Sequence, residues 1–478
     1  METKEQEPWR ILEQRGAACR LHGDAAGCAQ AYYEAALCDR FLRSQREHYS
    51  SYLFTLHYLP GISAEELARQ HFVYGRLYRD ELAEMAGNVA DDAHRLRIGF
   101  LAPDFFESSA ARFYEALLGL PHETFEIFAY SLSDEADDFT SRVQSMVTHY
   151  RVLSFYDIES SEQAIAEDGL DVLVDLGGHT AGGATLMLLA HHPARIIIEA
   201  IGWFDTTGMP TVDYLLTDDV MDPPGSEALL TEQPLRLPHA WCFMPSRAMR
   251  AARESRQTPA SLSEGGGPRS GGGSVGGRAW QSIRLTAPSE REPWVRLASF
   301  QNFMKISDAV LDAWRAILER APQAQLHVQD TMRVPARVAE LARRMRAAGL
   351  PMDRVTVAMG SDEYLGHLAR QDLVLDTFPY PGGAMTATAL CLGVPVLTLR
   401  GDSHSRSVGA SILAAAGLPE LIAEDAGAYV EKAVGLAQKR GRLAALQKHV
   451  WDDVPVSPLC DIETYRASFQ ELLVQQLL

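Results

Sequence analysis

The sequence predicts an α/β protein with two Rossmann-like lobes and an N-terminal α-helical segment. Two blocks of short apolar runs alternate with helical segments, and a stretch rich in Gly, Ser and Arg separates them. Such alternation is typical of a parallel sheet that helices cover on both faces. The 478 residues are enough for two to four domains with large cores.

Residues 1–94 are predicted to be helical, because "AYYEAALCDRFL" and "AEELARQHFVYGRLYRDELAEMA" carry apolar residues at helical spacing. Part of this segment fits one degenerate tetratricopeptide unit, through Leu12, Gly16, Tyr32 and Ala35, although Arg40 stands where proline is usual. A single unit cannot bury its own apolar face, so we expect it to pack on the next domain. A homo- or hetero-oligomer surface and a peptide-binding array are the alternatives.

Residues 95–245 form the predicted first lobe, with the runs "LRIGFLAP", "FEIFAYSL", "DVLVDLGG", "RIIIEAIGW" and "YLLTDDV" as its strands. Residues 246–292 include "SEGGGPRSGGGSVGG", a composition that buries too little apolar area to offset the entropy of ordering. We therefore predict a disordered linker or inserted loop between the lobes.

Residues 293–478 form the predicted second lobe, with the runs "WVRLASF", "AQLHVQD", "RVTVAM", "DLVLDT" and "VPVLTL" as strands. "SDAVLDAWRAILERA" is an amphipathic helix with one apolar face made of Val310, Leu311, Trp314, Ile317 and Leu318. Ligands of such folds bind outside the carboxyl ends of the strands, which here places them in the cleft between the lobes.

Composition excludes several classes of function. The net charge of -19 disfavours nucleic acid as a general partner, because an acidic surface repels phosphate backbones. The six cysteines show neither CxxC spacing nor the density of a disulfide framework, which favours free thiols in a reducing compartment. An acidic N-terminus and the lack of long apolar stretches predict a soluble, cytoplasmic protein with no membrane span.

The first candidate site is "DLGGHTAGG", where a strand ends at a Gly pair and His179 follows. A histidine there faces the crevice and can act as acid, base or hydrogen-bond donor near neutral pH. Asp175 lies four residues earlier and is a candidate to orient the ring. A histidine that only caps the next helix or satisfies a loop carbonyl is an equally good interpretation of this motif.

The second candidate is "SFQNFMKISD", where Gln301 and Asn302 follow a strand and Lys305 precedes a helix capped by Ser307 or Asp308. An ammonium group beside free helix N–H groups favours negative charge, such as that of a diphosphate. The alternative is an ordinary surface lysine.

The third candidate is "LDTFPYPGGAMTATALCLGVPVLTL" together with "RGDSHSRSVGASIL". The turn leads into a helix whose first N–H groups could hold a phosphate without a charged side chain. Asp402, His404 and Arg406 follow the next strand and could face the same cleft. The alternative is ordinary loop polarity.

Six stretches, in order, resemble the O-GlcNAc transferase / SPINDLY family, and most closely its bacterial members. They are "LRIGFLAPDF", "DVLVDLGGHTAGG", "AIGWFDTTGMPTVDYLLTD", "SFQNFMKISDAVLDAWRAIL", "LDTFPYPGG" with "LGVPVLTL", and "ASIL" with "GLPELIA". The resemblance covers residues 50–475 and implies a GT-B fold, in which the first lobe binds the acceptor and the second the nucleotide sugar.

The resemblance also assigns roles by position. Lys305 corresponds to a lysine that contacts the donor diphosphate, and Asn302 to a residue that contacts the nucleotide. His179 corresponds to a histidine after the third strand, and Gly382-Gly383 to the turn before the helix that holds the β-phosphate.

Several side chains at this site differ from the family pattern. Ala384, Met385 and Thr386 replace a threonine run, and Thr388 stands at a position that is usually acidic. Tyr364 replaces a histidine near the base, and the family arginine is shifted to Arg406. Near "DFFESSAAR", Ser108 or Arg112 takes the place of a family histidine.

The resemblance therefore implies an inverting glycosyltransferase that moves a sugar, GlcNAc from UDP-GlcNAc in the usual case, to Ser or Thr of a protein. His179, Lys305 and Asp175 are its predicted catalytic residues, and neither a metal ion nor a cofactor is expected beyond the donor. Flagellin or another surface protein is a suggested acceptor. A non-catalytic scaffold or partner subunit and an enzyme for a different nucleotide sugar are the alternative hypotheses.

Overall fold

The structure is a computed structural model, and it describes residues 7–79, 95–108, 110–250 and 294–477. The predicted linker, residues 246–292, falls almost entirely outside this range, as does the predicted end of the helical segment at residues 80–94. Those two predictions therefore stay untested by the structure.

The described part of the N-terminal segment contains four α-helices: α1 (Pro8–His22), α2 (Ala25–Cys38), α3 (Leu42–Leu56) and α4 (Ala64–Gly75). Helices α1 and α2 pack closely where Gly16 meets Tyr32, because a Cβ on Gly16 would lie 3.1 Å from the Tyr32 ring. Leu53 of α3 and Leu67 and Tyr74 of α4 share a buried apolar cluster with residues of the first lobe. The expectation that this segment packs on the next domain is confirmed.

The first lobe is a seven-stranded parallel sheet in the order β3-β2-β1-β4-β5-β6-β7. Its strands are β1 (Leu96–Ala102), β2 (Phe125–Ser131), β3 (His149–Val152), β4 (Val172–Asp175), β5 (Ile196–Glu199), β6 (Tyr214–Thr217) and β7 (Gln233–Arg236). Its helices are α5 (Ala111–Leu118), α6 (Asp138–Met146), α7 (Ile158–Glu167) and α8 (Ala184–Met187).

The second lobe is a six-stranded parallel sheet in the order β10-β9-β8-β11-β12-β13. Its strands are β8 (Val295–Phe300), β9 (Ala324–Gln329), β10 (Val355–Ala358), β11 (Leu373–Leu375), β12 (Val396–Leu399) and β13 (Ile422–Ala423). Its helices are α9 (Asp308–Arg320), α10 (Pro335–Ala347), α11 (Tyr364–Ala369), α12 (Ala384–Cys391), α13 (His404–Ala415), α14 (Ala426–Gln438), α15 (Arg440–Asp453) and α16 (Ile462–Leu472).

The predicted amphipathic helix is confirmed as α9. Ser307 is its N-cap, and the Ser307 hydroxyl accepts the N–H of Val310 at 3.3 Å. The five residues of the predicted apolar face are all buried. Burial of this face fixes the start of α9, and with it the loop that carries Lys305.

Helix α16, at the C-terminal end of the chain, packs back on the first lobe. Arg466 donates to the carbonyl oxygens of Glu115 and Ala116 at 3.0 Å, and the Tyr465 hydroxyl donates to that of Ala240 at 3.0 Å. Both sheets thereby present the carboxyl ends of their strands to a shared interface between the lobes.

Candidate functional site

The turn after β11, which we call the β11 turn (residues 376–383), is organised by the buried carboxylate of Asp376. Its Oδ1 accepts the N–H groups of Thr377 and Gly382 at 2.9 and 2.7 Å and the Gln301 amide at 3.1 Å. Its Oδ2 accepts the Thr398 hydroxyl at 3.0 Å. A Cβ on Gly382 would lie 2.3 Å from Gln301 Nε2, so only glycine fits there.

The β11 turn delivers the chain into α12, whose N-terminus has no side-chain cap. Gly383 is the N-cap residue, and the half-buried Ala384 and Met385 begin the helix. The first N–H groups of a helix have no partner inside it and favour an anion. The predicted helix start after the Gly pair is therefore present, although no side chain of Ala384 or Met385 can donate a hydrogen bond.

Lys305 lies directly against this turn. Its Nζ donates to the carbonyl oxygen of Pro381 at 2.6 Å and stands 4.2 Å from the centre of the Tyr380 ring. Burial lowers the pKa of Lys305 to about 8, and the carboxylate of Asp376 partly opposes this shift. Among the described residues, no carboxylate forms a direct ion pair with this ammonium group. The group is therefore well suited to bind an incoming diphosphate.

Asn302 lies three residues before Lys305 and caps the short helical turn between them. The Asn302 carbonyl accepts the Lys305 N–H at 2.9 Å, and its side-chain Oδ1 accepts the Met304 N–H at 3.1 Å. Asn302 is half-buried, so its side chain is open to a ligand at the edge of the second lobe. The structure thus brings Asn302, Lys305, Gly382 and Gly383 together.

The turn after β4, which we call the β4 turn (residues 175–183), holds the predicted catalytic residues of the first lobe. Asp175 is buried, and it accepts the N–H groups of Gly177 and Gly178 at 3.0 Å and the Thr185 hydroxyl at 3.1 Å. It forms no described hydrogen bond to His179. Asp175 therefore shapes the backbone of the turn and does not orient the His179 ring.

Both ring nitrogens of His179 are already bonded within the protein. Its Nε2 lies 2.8 Å from the carbonyl oxygen of Thr207, which requires an N–H there. Its Nδ1 lies 2.9 Å from the Ser50 hydroxyl of α3, which therefore donates to it. Burial lowers the pKa of His179 well below its usual value, so the ring is neutral. It has no free nitrogen for a substrate in this arrangement.

Two further histidines lie beside His179, and the sequence did not single them out. The ring centres of His71 and His179 are 5.4 Å apart, and those of His57 and His71 are 5.6 Å apart. His71 Nδ1 donates to the carbonyl oxygen of Leu67 at 2.8 Å, which leaves Nε2 as a bare acceptor. Within the described part of the chain, neither His57 Nε2 nor His71 Nε2 has a hydrogen-bond partner.

His57 also links the three parts of the molecule. Its Nδ1 lies 3.1 Å from the Ser405 hydroxyl of the second lobe, and that hydroxyl donates to Asp205 of the first lobe at 3.0 Å. The His57 ring lies 5.4 Å from the Tyr380 ring, next to the β11 turn. His57 directly follows α3 and His71 lies on α4, and the sequence pattern of both helices indicated only apolar packing, so nothing in it marked the two histidines.

Helix α13 holds the lobes together at its N-terminal end. His404 Nδ1 lies 2.5 Å from Asp222 Oδ2, and both side chains are buried. Burial alone would lower the pKa of His404, but the carboxylate of Asp222 raises it above the usual value. Arg406 donates to the carbonyl oxygen of Ile62 at 2.6 Å and pairs with Asp402 at 2.8 Å. Arg406 therefore binds the helical segment through Ile62.

The other predicted contacts lie at the margins of the site. Thr386 is buried, 3.4 Å from Asp376 Oδ2, and Thr388 is buried in the middle of α12. Tyr364 begins α11 and is half-buried, and burial raises the pKa of its hydroxyl. The first lobe approaches the β11 turn through Phe204, whose Cζ would lie 3.4 Å from a Cβ on Gly383.

A separate cavity lies away from these residues. It measures about 410 Å³ and is lined by α4 and the loop after β5, including Phe72, Arg76 and Pro210. Its lining is almost entirely apolar and carries none of the chemistry described above. Within the described residues, no three His, Cys, Asp or Glu side chains are grouped to hold a metal ion. None of the described helices combines the length and the apolarity needed to cross a bilayer.

Comparison with known proteins identifies this arrangement. The sequence profile of glycosyl transferase family 41 matches residues 77–258 and 290–469. A SPINDLY protein of Petunia hybrida, named a probable UDP-N-acetylglucosamine–peptide N-acetylglucosaminyltransferase, is 30% identical over 425 residues, 86% of this chain and 42% of the relative. Its counterpart in Arabidopsis thaliana is 31% identical over 386 residues, 78% of this chain and 38% of the relative. The chain thus spans about two fifths of these relatives' length.

Among solved structures, a mutant of the Thermobaculum terrenum O-GlcNAc transferase superposes with a TM-score of 0.81 at 24% sequence identity. The match covers 97% of this chain and 83% of that one. It confirms the predicted GT-B fold of two Rossmann-like lobes with a helical N-terminal segment. The family profile covers both lobes, and the chain therefore belongs to glycosyl transferase family 41.

Proposed function

We propose that this protein is an inverting glycosyltransferase that moves GlcNAc from UDP-GlcNAc to a Ser or Thr hydroxyl of a protein. Membership of family 41 and the names of the SPINDLY relatives support the reaction class and the donor. A single observation carries the proposal. Lys305 and the uncapped N-terminus of α12 meet at the β11 turn, so a cation and open N–H groups converge where the two lobes face each other.

The geometry suits departure of a nucleoside diphosphate. The acceptor oxygen attacks the anomeric carbon, the bond from that carbon to the β-phosphate oxygen breaks, and the electron pair leaves with the phosphate. Lys305 and the N–H groups of Ala384 and Met385 stabilise the charge that grows on this oxygen. The lobes orient the two substrates in line, which is the other main source of rate.

The proton of the acceptor hydroxyl needs a base. Burial lowers the pKa of His71 and holds that of His57 well below its usual value, so both rings are neutral. Their Nε2 atoms have no hydrogen-bond partner in the described structure, and both rings lie beside Trp203, with that of His57 also beside Tyr380. We assign the proton to one of these nitrogens or to the departing phosphate. His179, fully bonded to Ser50 and Thr207, holds the helical segment on the first lobe.

Partners and location follow as parts of the same proposal. The acceptor is a protein, and flagellin or another surface protein is the specific suggestion from the sequence. A cytoplasmic location would keep the cysteine thiols reduced. The N-terminal helices expose Ile11, Leu37 and Phe41, which makes them the candidate surface for self-association.

Calorimetry separates this proposal from its alternatives. We expect UDP and UDP-GlcNAc to bind, and co-expressed acceptors to gain the mass of one N-acetylhexosamine. Tighter binding of GDP and GDP-sugars than of UDP and UDP-GlcNAc would mean that the enzyme uses a different donor. Absence of binding heat with any nucleotide, from a protein with a normal melting curve, would favour a non-catalytic scaffold or partner subunit.

A further inference from the structure

A buried arginine supports the loop that carries Asn302 and Lys305. Arg337 lies on α10, and its side chain is 1% exposed. It forms an ion pair with Asp330, which follows β9, and both side chains are completely buried. Asp330 also accepts the N–H of Phe303 at 3.2 Å, so this pair is attached to the loop itself.

The guanidinium of Arg337 makes four hydrogen bonds with three partners. Its Nε and Nη2 donate to the two Asp330 oxygens at 2.5 and 3.2 Å. Its Nη1 donates to the carbonyl oxygen of Arg20, near the end of α1, at 2.6 Å. Its Nη2 also donates to Asn302 Oδ1 at 2.6 Å. A planar guanidinium with this many partners has one orientation.

That orientation decides which end of the Asn302 amide faces a ligand. Asn302 Oδ1 accepts from both Arg337 and the Met304 N–H, and neither donor tolerates an NH₂ group in that place. The amide nitrogen must therefore occupy the other position. Asn302 Nδ2 makes no hydrogen bond within the described residues, and the side chain is half-buried.

We propose that Arg337 is a positioning residue of the donor site, which holds Asn302 with its two amide N–H groups presented to an acceptor oxygen of the nucleotide. This inference rests on the proposed function. The oxygen is a carbonyl of the base or an oxygen of the phosphate, two groups with the same hydrogen-bond chemistry. Lys305, three residues along the same loop, supplies the cation for the diphosphate.

A double-mutant cycle tests the connection between the two residues. Asn302→Ala removes the amide, and Arg337→Met combined with Asp330→Asn removes the support without leaving a buried charge unpaired. We expect each change to weaken UDP binding about five- to tenfold, the effect of one or two neutral hydrogen bonds. If Arg337 acts through Asn302, the triple variant binds UDP no more weakly than Asn302→Ala alone.

Arg343 lies on the exposed side of the same helix and pairs, among the described residues, only with Glu340, so Arg343→Met is the matched control and should bind UDP normally. A KM for the donor that rises while kcat stays constant would separate positioning from a general loss of structure. Multiplying effects in the triple variant would overturn the inference, as would unchanged UDP binding by Asn302→Ala.

Uridine and pyrophosphate identify the oxygen. If Asn302→Ala binds uridine more weakly but pyrophosphate normally, the amide contacts the base. If it binds pyrophosphate more weakly but uridine normally, the amide contacts the phosphate. If Lys305→Met abolishes UDP binding while the Asn302 and Arg337 variants bind normally, this inference fails and the proposed function stands. If the wild-type protein binds no nucleotide, both fail.

Discussion

The β4 turn and the β11 turn use the same backbone device in opposite electrostatic settings. In each, a parallel strand ends at a buried aspartate, Asp175 or Asp376, whose carboxylate accepts N–H groups from the following turn. In each, a threonine hydroxyl also donates to that carboxylate, and a glycine pair leads into a helix.

Their neighbours do distinguish them. Asp376 lies near the ammonium of Lys305, and α12 begins there with eight residues and an uncapped N-terminus. Asp175 lies near a second carboxyl, that of Glu199, and α8 after its turn has only four residues. The same strand–Asp–Gly–Gly element thus lies beside a positive charge at the β11 turn and beside a second carboxyl at the β4 turn, which makes the β11 turn the better suited to an anion.

Removal of the positive charge of Lys305 should have the largest effect. We expect Lys305→Met to lower kcat about 10²–10³-fold, as the loss of one preorganised oxyanion donor does. The fold should persist, because the change removes a buried charge that makes no described ion pair. Donor turnover and the melting temperature measure the two effects. Lys439→Met, at an exposed lysine of the same lobe, should alter neither, and near-normal turnover in Lys305→Met would remove Lys305 from the mechanism.

The pH dependence of donor binding comes next. Since the pKa of Lys305 lies at about 8, the ammonium is present below that pH and is lost above it. The Kd for UDP should be constant from pH 6.5 to 7.5 and rise up to about tenfold for each pH unit above 8. Lys305→Arg keeps its charge and should flatten this curve. A wild-type Kd that does not change up to pH 9.5 would contradict the assignment.

A substitution in the β4 turn should change the stability of the protein more than its rate of donor turnover. In His179→Gln, at least one of the hydrogen bonds to Ser50 and Thr207 is lost, which should destabilise the protein by about 1–3 kcal/mol. Turnover should change less than about threefold, because His179 has no free nitrogen for a substrate. Urea unfolding and donor turnover check this. A hundredfold loss of turnover at normal stability would instead support the catalytic role predicted from the sequence.

The sequence predicted the central elements of both sheets and missed strands at their edges. The runs for β1, β2, β4, β8 and β11 are continuous and apolar because both faces of the sheet are covered. The missed strands β3, β7 and β13 are all edge strands. β3 reads "HYRV", β7 carries Pro234 and β13 has two residues, so none of them has the apolar pattern of a central strand.

The sequence predicted where the site residues lie relative to the strand ends, but it did not predict their hydrogen-bond partners. The placement of Lys305 and Gly382 followed from local order along the chain, and the structure brings them together. The contacts of His57 with Ser405, and of Arg337 with Arg20, join residues more than 300 positions apart. No periodicity encodes such pairs, because they depend on how the helical segment packs on the lobes.

The smallest expected effect concerns Glu199, the carboxyl that lies near Asp175 at the β4 turn. Its carboxyl is completely buried and interacts with the carboxyl of Asp175. Burial raises its pKa well above the usual value, and the Asp175 carboxylate adds to that rise. The folded protein therefore favours the protonated form of Glu199, so Glu199→Gln should change the free energy of unfolding by less than about 0.5 kcal/mol at pH 5.

The difference should appear as the pH rises. A carboxyl whose pKa is higher in the folded than in the unfolded state binds an extra proton on folding, so its contribution to stability falls above the unfolded pKa. The wild-type free energy of unfolding should decrease between pH 5 and 8 by up to about 1.4 kcal/mol per unit relative to Glu199→Gln. Exposed Glu123→Gln should follow the wild type. Parallel curves for wild type and Glu199→Gln would mean that Glu199 ionises normally, and the two turns would then differ only in the presence of Lys305.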